Sequence, residues 1–333
     1  MEKIAVIGLG YVGLPTLLVL SNLKKGNSYR YSLVGIEKDN YLGNLRINSL
    51  QSKLILIKSS EKKFNSLYKN ALSRKEVIFT NDYKKLKSCK KIIVSINFEI
   101  SSEKAKKNLL KLFTKIAENV SKNTLIVLQS TLPPGMSEKI ILPRIKKDLS
   151  KRKLKLNDIY FAYSYERVTP GDNYIDSIIS SPRCYSAINR KSKRKCKEFL
   201  MKILKKKELL TEFNSITECE TAKVLENSFR AINISFIDEW TKISQKLNVN
   251  LFDIINAIRK RPTHKNLMFP GLGVGGYCLT KDPTFIKYTS KNILGVHQNF
   301  PITSQAVKIN KNMIYTSLKF VMSKIKIKKK KIL

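Results

Sequence analysis

The pattern of hydrophobic and polar positions in the first half of the chain alternates short apolar runs with longer, lysine-rich amphipathic stretches. The runs that predict β-strands are residues 3–7, 31–36, 77–80, 91–95, 125–129 and 159–162. Such alternation is typical of parallel strands joined by crossover helices. The pattern therefore predicts an α/β fold, with an N-terminal Rossmann-like, doubly wound and mostly parallel sheet.

Helical periodicity dominates the second half of the chain. No proline or glycine occurs between Ile216 and Leu247, which predicts one long helix of roughly 45 Å at 1.5 Å per residue. A break at residues 248–250 precedes a second predicted helix over residues 251–260. We therefore expect an all-α central domain after the sheet.

Two stripes of side chains run along the predicted long helix. The residues of the apolar stripe are Ala222, Leu225, Phe229, Ile232 and Phe236. The polar residues that share a second face are Glu220, Lys223, Asn227 and Arg230. This second face is either functional or a solvated surface with a Glu226–Arg230 pair.

A glycine motif follows the first predicted strand. Residues 8–13 read Gly-Leu-Gly-Tyr-Val-Gly, a helical stretch follows, and the second strand ends in Glu37. In a dinucleotide-binding fold these glycines permit the tight turn, the close approach of backbone to pyrophosphate, and close helix–strand packing. Glu37 can accept hydrogen bonds from ribose hydroxyls and would repel a 2′-phosphate, so the motif predicts NAD rather than NADP. The predicted cofactor contacts in the turn are Gly8, Gly10, Tyr11, Val12 and Gly13.

Three later strand ends also carry polar residues. They are Ser95 with Asn97, the Ser-Thr-Leu-Pro-Pro-Gly stretch at residues 130–135, and residues 164–167, which include Glu166. Ligands bind at the carboxyl ends of strands in such sheets, so these positions are candidate cofactor contacts. Ordinary turn chemistry is the alternative interpretation.

A glycine-rich loop at residues 269–283 delivers one cysteine, Cys278. Asp282 and Pro283 have the character of an N-cap and a first helical residue, which predicts a helix start there. A thiol near a helix N-terminus and beside Lys281 is expected to have a lowered pKa and to act as a nucleophile. The alternative is a glycine turn with an inert cysteine and a capping aspartate.

Length and charge bound the remaining possibilities. A chain of 333 residues predicts either two domains or two domains and part of a third. The formal net charge of +39 suits a polyanion-binding protein, but the lysines are spread along the whole chain and no nucleic-acid recognition motif accompanies them. We therefore expect no specific nucleic-acid partner.

The cysteine content and the hydropathy of the chain indicate its redox compartment and whether it carries a membrane segment. Five unevenly spaced cysteines and two histidines indicate neither a disulfide framework nor a metal site, which favours a reduced, cytoplasmic setting. Residues 4–21 are uncharged, but their glycines and Pro15 argue against a signal peptide or a membrane span.

The glycine motif, the 130–135 turn, the polar helix face and the cysteine loop occur in an order that resembles the UDP-glucose/GDP-mannose dehydrogenase family. This resemblance implies a nucleotide-sugar 6-dehydrogenase for polysaccharide biosynthesis, dimeric through the central helix. Two NAD would be used in turn to oxidise the sugar C6 alcohol to a carboxylate through a cysteine thioester.

The resemblance also implies residue roles. Cys278 would be the nucleophile, Lys223 and Asn227 would stabilise oxyanions, Asp282 would assist proton transfer, and Glu166 would help to activate water. Thr131 would lie near the nicotinamide, and Ser95 and Lys281 near the cofactor. The other implied substrate contacts are Arg230, Arg261, Phe269, Gly273, Gly275 and Gly276.

Two features leave the substrate and the extent of the activity open. Residues 226–230 resemble members that act on UDP-N-acetylhexosamines, whereas residues 276–279 resemble UDP-glucose enzymes; we favour the former. Tyr165 stands where many members have proline.

The expected domains are 1–208 (NAD-binding), 209–323 (helical, with the cysteine loop) and 324–333, a stub of the C-terminal UDP-binding domain that the chain is expected to lack. The alternative function is a non-catalytic NAD-binding remnant, or half of a split enzyme that a separate polypeptide completes.

Overall fold

The structure, a computed structural model, describes residues 1–54, 57, 59–99, 103–274 and 276–324. The chain divides into two compact units, Met1–Thr221 and Ala222–Leu333. Residues 325–333, nearly all of the predicted stub of a third domain, lie outside the described residues.

The first unit is built from strands joined mainly by helices. Its strands are β1 (Glu2–Ile7), β2 (Lys24–Lys25), β3 (Ser28–Tyr29), β4 (Tyr31–Ile36), β5 (Val77–Thr80), β6 (Lys91–Val94), β7 (Leu125–Leu128), β8 (Tyr160–Tyr163), β9 (Arg183–Ala187) and β10 (Leu210–Glu212). Its α-helices are α1 (Gly13–Asn22), α2 (Tyr41–Gln51), α3 (Lys62–Ser73), α4 (Glu103–Asn119), α5 (Leu142–Ser150), α6 (Tyr174–Ser180) and α7 (Arg190–Leu200). A π-helical turn, Ser137–Ile141, leads into α5.

The main sheet has the strand order β10-β9-β8-β7-β6-β1-β4-β5. Its neighbours pair in parallel except β8 and β9, which are antiparallel. The register aligns Ile7 of β1 with Ile36 of β4 and with Val94 of β6, so these three strands end at the same level. The predicted doubly wound α/β sheet is confirmed.

Several elements of the first unit escaped prediction. The sequence analysis missed the β2–β3 hairpin and the strands β9 and β10. Strand β10 pairs with β9 inside the first unit, and it follows residue 208, where the first predicted domain ends. The compact units divide later, between Thr221 and Ala222.

The core of the first unit forms where the apolar runs of the strands meet the helices. Ile4, Val6 and Leu33 from the central strands are fully buried with Leu17 of α1 and Phe64 of α3. Burial of a large aliphatic or aromatic side chain contributes roughly 1.5–3 kcal/mol. This packing fixes the strand ends that carry the polar residues.

In its described residues, the second unit is helical. Its α-helices are α9 (Leu251–Ile258), α10 (Tyr277–Lys281), α11 (Phe285–Tyr288), α12 (Pro301–Lys324) and most of α8 (Ile216–Leu247). The Asn250 side chain accepts from the Phe252 amide and caps α9. The predicted long helix and the predicted all-α domain are therefore confirmed.

The two stripes of α8 differ in burial. Leu225, Phe229 and Phe236 of the apolar stripe are 66%, 55% and 47% exposed. Lys223 and Asn227 of the polar stripe are buried. Helical spacing identified both stripes correctly but does not decide which one meets the protein, because burial is set by tertiary partners.

None of the helices in the described ranges combines the length and apolarity needed to cross a membrane.

Candidate active site

The glycine turn after β1 is shaped by close backbone contacts. Gly8 has φ = +88°, and a Cβ there would lie 2.3 Å from the Ser95 carbonyl oxygen. A Cβ on Gly13 would lie 1.8 Å from the Gly8 carbonyl oxygen. Only glycine fits at these two positions.

Gly10, the second glycine of the motif, has a different environment. A Cβ on Gly10 would meet nothing within 4 Å, and the first turn of α1 carries no acidic residue and no side-chain cap. The N-terminal amides of α1 therefore meet an open space without a competing carboxylate. This is the arrangement that binds a pyrophosphate, so the residues present fit a dinucleotide.

Glu37 closes one end of the same turn. It is 6% exposed, accepts a 2.7 Å hydrogen bond from the Leu9 amide and pairs with Arg46 at 3.1 Å. The carboxylate is therefore fixed beside the glycine turn, where it can meet a ribose. Arg46 is about half exposed, and sequence reasoning missed it.

Hydrogen bonds link the polar strand ends at the cofactor edge. The Ser95 amide donates to the Ile7 carbonyl at 2.8 Å, and the Ile96 amide donates to Ser130 Oγ at 2.9 Å. Thr131 is partly exposed. The Gln129 side-chain amide is 3% exposed and has no hydrogen-bond partner among the described residues. An unsatisfied buried amide at this edge fits a surface built to meet a polar ligand.

Glu166, beyond the end of β8, forms a buried ion pair. Its Oε1 lies 2.8 Å from the Arg183 guanidinium, and the Arg183 side chain is 1% exposed. Arg183 also donates to the Ile178 carbonyl at 2.9 Å. A buried ion pair of this kind fixes the orientation of the carboxylate.

Glu220, at the start of α8, is fully buried. It accepts hydrogen bonds from the Gly135 amide at 2.7 Å and the Ser137 amide at 3.1 Å. Burial outweighs these two hydrogen bonds and raises the pKa of Glu220 to about 7. The sequence analysis placed Glu220 on the polar stripe but gave it no role.

The cysteine loop differs from the prediction at its helix boundary. The helix α10 begins at Tyr277 rather than at Asp282, and Cys278 lies in its first turn. Asp282 and Pro283 fall in a 3₁₀ turn that continues α10. Asp282 is fully buried and does not cap a helix, so the predicted helix start is wrong.

Asp282 instead organises the residues around it. Its Oδ2 accepts a 2.6 Å hydrogen bond from the Asn227 amide, and its Oδ1 pairs with the Lys281 ammonium group. Lys281 also lies 4.8 Å from the centre of the Tyr277 ring and 4.7 Å from that of the Phe285 ring. A buried carboxylate held by an amide and a cation is a stable, oriented group.

The predicted lowering of the Cys278 pKa is wrong. Burial of the thiol and the negative charge of Asp282 raise its pKa, and this outweighs the opposite effects of Lys223 and Lys281. The residue as a whole is exposed to solvent. Both lysines and Asp282 interact electrostatically with the sulfur, which places it in one cluster with three of the predicted residues.

The other predicted substrate contacts have varied surroundings in the described structure. Arg230 and Arg261 are exposed. Phe269 stacks on Phe252 at 5.8 Å, with Arg259 over its ring. Gly273 has φ = +131° and approaches the Met313 side chain of α12, and Gly276 precedes α10. Gly275 lies outside the described residues.

Comparison with known proteins identifies both parts of the chain. Residues 2–222 match the NAD binding domain of the UDP-glucose/GDP-mannose dehydrogenase family, and residues 217–312 match its central domain. The UDP-N-acetyl-D-mannosamine dehydrogenase of Methanococcus aeolicus is 30% identical over 297 residues, which cover 88% of this chain and 62% of that protein. The Methanococcus vannielii enzyme of the same name is 29% identical and covers 96% of this chain and 69% of its own.

A solved structure shows the same likeness. The UDP-D-ManNAc dehydrogenase of Pyrococcus horikoshii superposes with a TM-score of 0.82 at 25% identity. The match covers 98% of this chain and 73% of that chain. The present chain thus spans about three fifths of the length of the M. aeolicus relative.

The raised pKa of Glu220 predicts a pH-dependent stability difference. Burial raises this pKa from its ordinary value of 4.5 to about 7, so the protonated form favours folding. The contribution is fully present below about pH 4.5 and is lost as the pH rises through about 7. Glu220→Gln cannot ionise, so its unfolding free energy should rise relative to the parent by roughly 2–3 kcal/mol between pH 5 and pH 8.

Urea unfolding at both pH values measures this difference. Glu239→Gln is the matched control, because Glu239 lies on the same helix and is exposed. If the unfolding free energies of Glu220→Gln and Glu239→Gln change with pH in the same way, the raised pKa is wrongly assigned to Glu220.

The geometry at Glu37 predicts cofactor preference. The parent should bind NAD more tightly than NADP by roughly tenfold, because the Glu37 carboxylate repels a 2′-phosphate. Glu37→Gln should strengthen NADP binding by about tenfold, since Arg46 can then pair with that phosphate. Adding Arg46→Gln should reverse the gain. Calorimetry with both nucleotides measures these affinities, and parent binding of NADP as tight as that of NAD contradicts the role of Glu37.

Proposed function

The chain belongs to the UDP-glucose/GDP-mannose dehydrogenase family, and on that premise we propose that it oxidises the C6 alcohol of a nucleotide sugar to the carboxylate. The alcohol and one water lose two hydrides and three protons in this conversion. NAD, when bound, supplies the chemistry of accepting hydride. The residues that would hold it are the glycine turn, Glu37 and the polar strand ends.

One observation carries the proposal most directly. The sulfur of Cys278 interacts with Lys223, Lys281 and Asp282, and Asp282 is fixed by Asn227. A thiol, two cations and a buried carboxylate in one cluster suit covalent catalysis at a carbonyl carbon.

The proposed chemistry follows from these residue types. After the first hydride has left C6, the Cys278 sulfur bonds to the aldehyde carbon and gives a thiohemiacetal. Loss of the second hydride converts this adduct to a thioester, which water hydrolyses to the carboxylate and the free thiol. Because the resting thiol has a raised pKa, it must lose its proton as the carbon–sulfur bond forms.

The remaining residues have supporting roles in this proposal. Lys223 stabilises negative charge on the C6 oxygen, Asn227 assists, and Asp282 holds Asn227 and Lys281 in place. Glu166 is proposed to activate the hydrolytic water and Thr131 to lie near the nicotinamide, as the family resemblance implies. The Arg183 pair supports a fixed orientation for the Glu166 carboxylate.

The names of the relatives support a proposal for the substrate class. The M. aeolicus, M. vannielii and P. horikoshii proteins are named for UDP-N-acetyl-D-mannosamine. We propose a UDP-N-acetylhexosamine for this chain, with the uronic acid serving polysaccharide biosynthesis.

A cytoplasmic location is part of the proposal, since NAD and nucleotide sugars are consumed there and the five cysteines are free thiols.

The first test of the proposed function replaces the nucleophile. Cys278→Ser should lower formation of the uronic acid by roughly a thousandfold, because loss of a covalent nucleophile removes most of the rate enhancement. NAD affinity should stay within about twofold, since the glycine turn is untouched. NADH production and product analysis with UDP-N-acetylmannosamine, UDP-N-acetylglucosamine and UDP-glucose measure the effect.

Thr280→Ser serves as the control for this test, because Thr280 lies in the same short helix and bonds only to backbone carbonyl groups in the described structure. Uronic acid formation by Cys278→Ser at the parent rate would make Cys278 a structural residue.

A homodimer is the second part of the proposal. An exposed apolar stripe follows one side of α8 for six turns, at residues Leu225, Phe229, Phe236, Trp240, Ile243 and Leu247. Monomers rarely expose a continuous apolar surface of this length. Its members are three, four or seven residues apart, so they share one side of the helix, which suits pairing with the same helix of a second copy.

The dimer proposal has a direct test. Trp240→Glu should raise the dimer dissociation constant roughly thirtyfold or more, because an interface tryptophan is lost and a charge is buried. Gln245→Glu is the control, since Gln245 lies about 140° around the helix from Trp240. Analytical ultracentrifugation of the full chain measures both. A parent that is monomeric at micromolar concentration contradicts the proposal.

A further inference from the structure

We propose that Glu220 is a positioning residue for the cofactor edge, which holds the turn that carries Ser130 and Thr131. The inference rests on the proposed use of NAD by the first unit. Glu220 itself does not touch the reacting atoms in this scheme.

The first step of the argument is the geometry at the end of the turn. The two carboxylate oxygens of Glu220 accept from the backbone amides of Gly135 and Ser137. Gly135 has φ = +86°, in the left-handed region. The carboxylate therefore binds the backbone at the point where the 130–135 turn ends and the π-helical turn before α5 begins.

The second step is a reciprocal contact from the other side. Glu138, in that π-helical turn, accepts from the Ile216 amide at 3.2 Å and from the Thr217 hydroxyl at 2.5 Å. Glu220 of α8 thus caps the N-terminus of the π-helical turn, and Glu138 of the π-helical turn caps the N-terminus of α8. Negative charge near a helix N-terminus is favourable. The Glu138 cap therefore stabilises the start of α8, whereas the Glu220 carboxylate is the group that holds the end of the 130–135 turn.

The 130–135 turn also contacts the segment that packs against the glycine motif. Ser130, at the beginning of the turn, accepts from the Ile96 amide. The neighbouring Ser95 carbonyl lies where a Cβ on Gly8 would clash at 2.3 Å. The Glu220 carboxylate is therefore connected to the surroundings of the glycine motif through the covalent chain of the turn and the Ser130 hydroxyl.

A role in stability alone explains the site less well. Burial raises the pKa of Glu220 to about 7, so the ionised form is held at a cost to folding, and the charge of Glu138 adds to it. Cys219, which is buried on the same helix, is another titratable group that interacts with Glu220. A neutral glutamine of the same shape avoids that cost but offers one acceptor oxygen instead of two.

Calorimetry of NAD binding to the full chain tests the inference with two matched variants. Glu220→Gln leaves one of the two turn amides unsatisfied, so NAD binding at pH 8 should weaken by roughly tenfold. Glu138→Gln makes the same chemical change at the opposite cap and should lower the melting temperature while leaving NAD affinity within about twofold. Hydrogen exchange of a peptide spanning residues 130–137 should accelerate in Glu220→Gln.

The pH profile distinguishes positioning from general stability. Parent NAD affinity should decrease as the pH falls from 8 to 6, because Glu220 becomes protonated, and this dependence should flatten in Glu220→Gln. The inference is overturned if the parent binds NAD and Glu220→Gln binds it equally well, or if both variants weaken binding to the same extent. A parent that does not bind NAD at all refutes the proposed function itself.

Discussion

The parallel pairing of β1 with β4 and β6 is the constraint on which the rest of the first unit depends. It sets Ile7 level with Ile36 and Val94, so the chain segments after all three strands emerge together. Gly8, Glu37 and Ser95 are the next residues of those segments. Their contacts follow from this register, because a one-residue slip would turn the strand side chains to the opposite face.

Much of this arrangement was predictable from the sequence. The central strands are apolar because both faces of a parallel sheet are covered, and the glycine spacing identified the nucleotide turn. Strand β9 was missed because it contains Arg183, a residue that is rarely buried. Its burial depends on the ion pair with Glu166, and that contact arises only when β8 and β9 pair. No local pattern carries that information.

The same reason explains what periodicity left open in the helical unit. Periodicity located both faces of α8, but the face that became buried holds Lys223 and Asn227. Asn227 is stabilised by its hydrogen bond to Asp282, which is remote in sequence. The direction of the Cys278 pKa shift was missed for a related reason, since the prediction considered Lys281 and a helix terminus but not burial or the Asp282 charge. Favourable neighbours can be read from sequence, whereas desolvation cannot.

The overall charge of the protein is opposite in sign to most of its buried charge. The chain has 64 lysines and arginines against 25 acidic residues. The buried acidic residues in the described ranges are Glu37, Asp148, Glu166, Glu220, Asp238 and Asp282, whereas the buried basic ones are Arg74, Arg183 and Lys223. Burial of a charge is costly without partners, and four of these carboxylates lie in the proposed sites, each held by specific donors. Charged lysines on the surface cost little free energy because water solvates them. The net charge therefore says little about the chemistry of the protein. The buried carboxylates, in contrast, lie where that chemistry is proposed to occur.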